Sequence, residues 1–118
     1  MAKFWGFHLM LDMSHCDNYA MRDYDTVYNF AKELVKNIDM VAYGEPQIVH
    51  FGKGDKAGFT LIQLIETSNI CAHFANEEET IFLDVFSCKA FDDNVVIETV
   101  KKYFNPIVIR RNFITRQV

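Results

Sequence analysis

The chain has few residues that would break it or staple it. Its 118 residues include two prolines, five glycines, three cysteines and one tryptophan. So few breakers exclude collagen-like and Pro/Gly-rich disordered architectures, and no internal repeat, low-complexity stretch or flexible linker divides the sequence. An odd number of cysteines with no secretion signal argues against a disulfide framework, so reduced thiols and a cytoplasmic location are expected. Basic residues are outnumbered: twelve Lys and Arg stand against sixteen Asp and Glu, a formal net charge of −4. A negative surface argues against a phosphate backbone as the main partner, so no nucleic acid is expected. The longest apolar runs, such as Ile107-Val108-Ile109, fall far short of the ~18–20 residues that cross a bilayer. Met1 to Gly6 also lacks the basic region and apolar core of a secretion signal, so no membrane partner is expected.

Half of the sequence is hydrophobic and 24% is charged, the balance of a packed globular protein. The length fits one domain at the usual ~100–150 residues, so residues 1–118 are read as a single unit. Phe4 to Met13 reads as a strand. Tyr24, Val27, Tyr28, Ala31, Leu34, Val35 and Ile38 repeat at helical spacing, with Asp23 placed to cap. Further strands are expected at Gln47–Phe51, Phe59–Ile65, Ile70–Phe74 and Thr80–Phe86. A second helix starts after Asp92 or Asp93 and carries Val96, Ile97, Val100 and Phe104, and Ile107–Ile109 opens a last strand. Pro46 and Pro106 each stand between a helical run and an apolar one, where helix gives way to strand. The order β-α-β-β-β-β-α-β predicts an α+β two-layer sandwich, a mainly antiparallel sheet with two helices packed on one face.

Several segments carry chemically capable residues. The loop Gly52–Gly58 lacks the G-x-x-x-x-G-K-[ST] pattern and leads into a strand, so it reads as a hairpin loop and not a phosphate cradle. His15-Cys16 and Cys71-x-His73 lack the paired spacing of a zinc site, and no metal is expected. Glu77-Glu78-Glu79 reads as a solvated turn in which one carboxylate is able to bind a hydroxyl. Most distinctive is Ile65-Glu66-Thr67-Ser68-Asn69-Ile70-Cys71-Ala72-His73, an apolar strand ending in a serine-containing turn with a histidine five residues on. Asp84-Val85-Phe86-Ser87-Cys88 ends a neighbouring strand in a thiol. On spacing alone, two readings stay open: a converging Ser–His–Cys constellation, or a turn serine, a half-buried histidine and a core cysteine.

Three stretches taken together resemble a known family. Gly6-Phe7-His8-Leu9 leading to Cys16-Asp17, then Thr67-Ser68 with His73, then Phe86-Ser87-Cys88, occur in the order and spacing of the small prokaryotic S-adenosylmethionine decarboxylases. The resemblance spans nearly the whole chain. It implies a self-cleaving proenzyme, cut between Thr67 and Ser68 into a β chain 1–67 and an α chain 68–118. Ser68 then becomes a pyruvoyl group, the cofactor that condenses with the substrate amine and acts as electron sink during decarboxylation. By the same resemblance, His73 serves proton transfer in processing, a task suited to an imidazole. Thr60 falls where the family has a processing serine, and Thr67 precedes the cut. Cys88 matches the proton donor, Phe51 and Ile70 match residues that sandwich the adenine, and Glu77 matches the ribose-binding carboxylate. A homodimer of αβ units with S-adenosylmethionine as substrate and polyamine synthesis as purpose is implied. Thr67 stands where the family usually has glutamate, and Asn69 where it usually has histidine. Two other readings stay open: a pyruvoyl-dependent ornithine or arginine decarboxylase of the same fold, and an uncleaved, non-catalytic binding or regulatory homologue.

Overall fold

The computed structural model describes residues 4–118. Its strands are β1 (Gly6–Ser14), β2 (Gln47–Phe51), β3 (Gly58–Ile65), β4 (Ser68–Ala75), β5 (Thr80–Ser87) and β6 (Val108–Arg116). They form one sheet in the order β2-β3-β4-β5-β1-β6, and every neighbouring pair runs antiparallel. The helices are α1 (Asn18–Arg22), α2 (Tyr24–Asn37) and α3 (Asp93–Phe104). The expected α+β sandwich is therefore present, and among the described residues a short helix, α1, adds to the two expected. The five residues of α1 are too few to show a helical period. Asp17 starts that turn, its carboxylate accepting from the backbone N–H of Tyr19 and Ala20 at 3.0 and 3.1 Å. Asp23 caps α2 through Thr26 N–H, and Asp92 caps α3 through Asn94 N–H. Asn105 ends α3 in the left-handed conformation, φ 43°.

Alternation along the strands divides the sheet into two unlike faces. Leu9, Leu11 and Met13 of β1, Leu61 and Ile65 of β3, Ile70, Ala72 and Phe74 of β4, and Ile81, Leu83 and Val85 of β5 face the helices and are buried. Val27, Phe30, Ala31, Leu34 and Val35 of α2 and Val96, Ile97, Val100 and Phe104 of α3 close the core from above. Phe104 joins the layers, its ring edge-on to Phe30 at 5.0 Å and to Phe74 at 5.5 Å. On the other face Ile62, Leu64, Phe82 and Ile114 are about two-fifths exposed, and among the described residues no helix covers them.

Two positions tie the layers and the sheet together. Glu33 of α2 accepts from Tyr103 Oη at 2.6 Å, Lys102 Nζ at 2.9 Å and Asn37 Nδ2 at 3.3 Å, so it bridges α2 to α3. Those donors lower its carboxyl from 4.5 to about 2, Tyr103 contributing most. A depressed carboxyl stabilises the fold above its ordinary pKa and loses that contribution as pH falls toward the folded value. Stability should decline between about pH 4.5 and 2, and Glu33→Gln should flatten that acid limb in urea unfolding followed against pH. Gly58 opens β3 at φ 156°, where a Cβ would overlap the Phe74 carbonyl oxygen on β4. Gly58→Ala should cost about 2 kcal/mol or more, read from the urea midpoint, because a buried backbone cannot move aside cheaply.

Candidate active site

The β3–β4 hairpin places most of the candidate residues. Ile65 pairs with Ser68, leaving Glu66 and Thr67 as a two-residue turn. Ser68, expected in that turn, instead opens β4, and it pairs with Ser87 on its other side. It is the one described non-glycine strand residue with positive φ, 157°, a conformation that costs an L-residue on the order of 1–3 kcal/mol. The carbonyl of Thr67 accepts the Cys88 N–H at 3.0 Å. A donor aimed at a carbonyl that is to become tetrahedral stabilises the charge that forms there. Cys88 itself lies just past β5 with its thiol exposed.

Thr60 and His73 form a second cluster. They are direct cross-strand partners on the uncovered face, and Thr60 Oγ1 shares a hydrogen bond of 2.9 Å with His73 Nδ1. With Cys71, Phe82 and Asp84 they line a shallow depression of about 140 Å³. Phe51 ends β2 opposite Gly58, which lies two residues before Thr60, and the residue is 54% exposed. Glu77 sits in the exposed β4–β5 turn, four residues beyond His73. Phe51, Thr60, His73 and Glu77 thus share one end of the sheet, and Thr67, Ser68 and Cys88 share the other.

The two groups do not meet within a chain. Five residues separate Ser68 from His73 along one extended strand, which at ~3.3 Å per residue is about 16 Å. No proton passes directly over such a distance. Ile70 is a correction to the sequence reading. It is fully buried beneath the helix layer, so it presents no surface on which a base could stack.

A family model described as S-adenosylmethionine decarboxylase matches residues 7–117. The chain belongs to that family. Among curated relatives, the S-adenosylmethionine decarboxylase proenzyme of Clostridium botulinum strain Langeland is 26% identical over 101 residues, 85% of this chain and 84% of the relative. The proenzyme from strain Hall of the same species matches with the same identity and coverage. Among solved structures, the adenosylmethionine decarboxylase of Aquifex aeolicus VF5 superposes with a TM-score of 0.83 at 20% identity, over 99% of this chain and 94% of that one. This last likeness establishes the decarboxylase-type fold for the sheet and helices described above.

Sequence reasoning overlooked Ser87 and Met40. Ser87 Oγ donates to Thr67 Oγ1 at 2.7 Å, and Thr67 Oγ1 donates to Met40 Sδ at 3.2 Å. The only signal for Ser87 was its position before Cys88, and Met40 gave none, lying 27 residues from its partner.

The three thiols stand in different surroundings. Burial pushes Cys16 up to about 11, with the Glu79 carboxylate adding to it. Half-buried Cys71 is also raised, by burial first and then by Asp84. A thiol that resists ionisation and access is inert. Iodoacetamide at pH 8 should therefore label Cys88 first and leave Cys16 intact in the folded protein, as peptide mapping would report.

Proposed function

We propose that this chain is a self-cleaving proenzyme that decarboxylates S-adenosylmethionine, supplying the aminopropyl donor for polyamine synthesis. The observation that carries the reading is the scissile carbonyl itself: Thr67 C=O receives the Cys88 N–H one residue before a strained serine. Cleavage begins when Ser68 Oγ attacks the Thr67 carbonyl carbon. The peptide C–N bond breaks, the hydroxyl proton ends on the Ser68 nitrogen, and an ester remains. A base then takes the Ser68 α-proton as the Thr67 carboxylate leaves, and water hydrolyses the resulting enamine to a ketone with loss of ammonia. The residues present fit this chemistry, with a hydroxyl beside the bond and a donor already on the carbonyl. When formed, the pyruvoyl group supplies an electron sink for the departing carboxylate's electron pair.

In this reading the exposed Cys88 thiol returns a proton to the substrate carbon. Phe51 offers an aromatic face to the adenine, and Glu77 accepts hydrogen bonds from ribose hydroxyls. Thr60 orients the His73 ring for proton transfer. In this reading a second copy spans the ~16 Å gap along β4: His73 and Thr60 of one chain serve Ser68 of the other in a homodimer. The uncovered sheet face, with Ile62, Leu64, Phe82 and Ile114, supplies apolar surface for that contact.

Intact-mass measurement tests the cut. Two fragments are expected, residues 1–67 and 68–118, the second beginning with pyruvoyl; a single full-length species after long incubation rejects the reading. Carbon dioxide release from S-adenosylmethionine, assayed beside ornithine and arginine, tests the substrate. For the dimer, Ser68→Ala and His73→Ala chains are each expected to stay uncut alone. Co-refolded, the His73→Ala chain should be cut by its partner, whereas no cleavage in the mixture would reject trans completion of the site.

A further inference from the structure

We propose that Ser87 is a positioning residue for self-cleavage, acting through the hydroxyl of Thr67; this rests on the proenzyme reading above. Residue 67 is held from three consecutive residues at the end of β5. Lys89 N–H donates to Ser87 Oγ at 3.0 Å, Ser87 Oγ donates to Thr67 Oγ1 at 2.7 Å, and Cys88 N–H donates to the Thr67 carbonyl at 3.0 Å. The relay ends on Met40, whose sulfur lies 3.2 Å from Thr67 Oγ1 and 3.7 Å from Ser87 Oγ. Ser87 is fully buried and Met40 nearly so.

The direction of the relay is set at its Lys89 end, where the donor is a backbone N–H. An N–H only donates, so Ser87 Oγ accepts from Lys89, and of its two contacts as donor the one to Thr67 Oγ1 at 2.7 Å is shorter than the one to Met40 Sδ at 3.7 Å. Thr67 then turns its proton toward a thioether, a weak acceptor that rigidifies without drawing the hydroxyl away. Two loops supply the parts. The segment after α2 pairs with β3 through Tyr43 N–H to Leu64 O at 2.8 Å and Glu66 N–H to Val41 O at 2.9 Å, which carries Met40 to the turn. Lys89 Nζ reaches back to the Asp39 carbonyl oxygen at 2.6 Å and closes the ring around the turn.

Held at both side chain and carbonyl, Thr67 cannot rotate its carbonyl away from the approaching Ser68 oxygen. In the acyl shift the Ser68 Oγ–C bond forms as the C–N bond breaks, and the proton passes from oxygen to nitrogen. Nothing in the relay is consumed, so its effect is on geometry alone, where small misplacements cost large factors in rate.

The test follows conversion of freshly made proenzyme by intact mass, with and without hydroxylamine, which cleaves esters under conditions that spare peptide bonds. Ser87→Ala should be cut about tenfold more slowly with no hydroxylamine-sensitive ester accumulating, since the slowed step precedes the ester. Thr67→Val should slow cleavage to a similar extent, and Ser87→Thr, which keeps the hydroxyl, should restore most of the rate. Because both residues act through one hydrogen bond, the double variant should be no slower than the slower single one. Cleavage of Ser87→Ala at the parent rate, multiplicative slowing in the double variant, or ester accumulation would each overturn the proposal. If Ser87→Ala does not fold by circular dichroism, Thr67→Val and the volume-conserving Met40→Leu carry the same comparison. A parent chain that never cuts overturns the proenzyme reading and the proposal together; a parent that cuts beside unaffected variants overturns only the proposal.

Discussion

The register of β3 against β4 sets most of what this protein can do. Pairing Ile65 with Ser68 makes Glu66 and Thr67 a two-residue turn, and the same ladder puts Thr60 opposite His73 five residues further along. A slip of one residue would exchange every side chain between the faces, burying His73 and turning Ala72 and Phe74 outward. The slip is opposed by the core, because Leu61, Ile65, Ile70, Ala72 and Phe74 all occupy the helix-covered side in the observed register. Packing and chemistry are thus fixed by one alignment.

The same topology explains why a chain cut at this turn can remain folded. Each strand flanking Thr67–Ser68 has a second neighbour: β3 pairs with β2, and β4 pairs with β5. Breaking the turn removes a covalent link but no ladder. The residues before the proposed cut would retain α1, α2 and three strands, those after it α3 and three strands, and the two sets share one core through Phe30, Phe74 and Phe104. β3, β4 and β5, which carry Thr60, Ser68, His73 and the approach to Cys88, are interior to the sheet, which suits chemistry that depends on placement.

Much of this was legible in the sequence, for physical reasons that also mark its limits. Alternating apolar residues reveal strands, and a three-four period with Asp23 and Asp92 ahead of it reveals α2 and α3. A helix as short as α1 has no period to read. The resemblance gave Thr60 and His73 processing roles, but their pairing was not legible, since cross-strand register depends on turn length, and the turn is two residues shorter than a serine-containing turn implies. Nearness in sequence also misled: five residues bring two side chains close in a helix but carry them about 16 Å apart in a strand. Ile70 received its stacking role from the resemblance alone, and the alternation that puts it in line with Ala72 and Phe74 buries it under the helices. Ser87 and Met40 were invisible because their meaning comes from Thr67, 20 and 27 residues away.

The separation of the two clusters bears on symmetry. In the proposed dimer each chain offers one complete half-site at each end of its sheet: Ser68 with Cys88, and His73 with Thr60, Phe51 and Glu77. A two-fold contact uses the same surface on both partners, so the arrangement that brings one His73 to the other chain's Ser68 creates the reciprocal pair as well. Sheets that pack face to face lie ~10 Å apart, and side chains from both inner faces fill that gap. The mixed composition of the uncovered face suits such a contact: Ile62, Leu64, Phe82 and Ile114 supply apolar area. His8 is bound to Asp84 at 3.0 Å and to Arg116 at 3.2 Å, so its neighbouring charges are already partnered. A head-to-tail contact would complete one site for each interface and leave unmatched ends. In the proposed dimer, two-fold closure would complete both sites with a single interface.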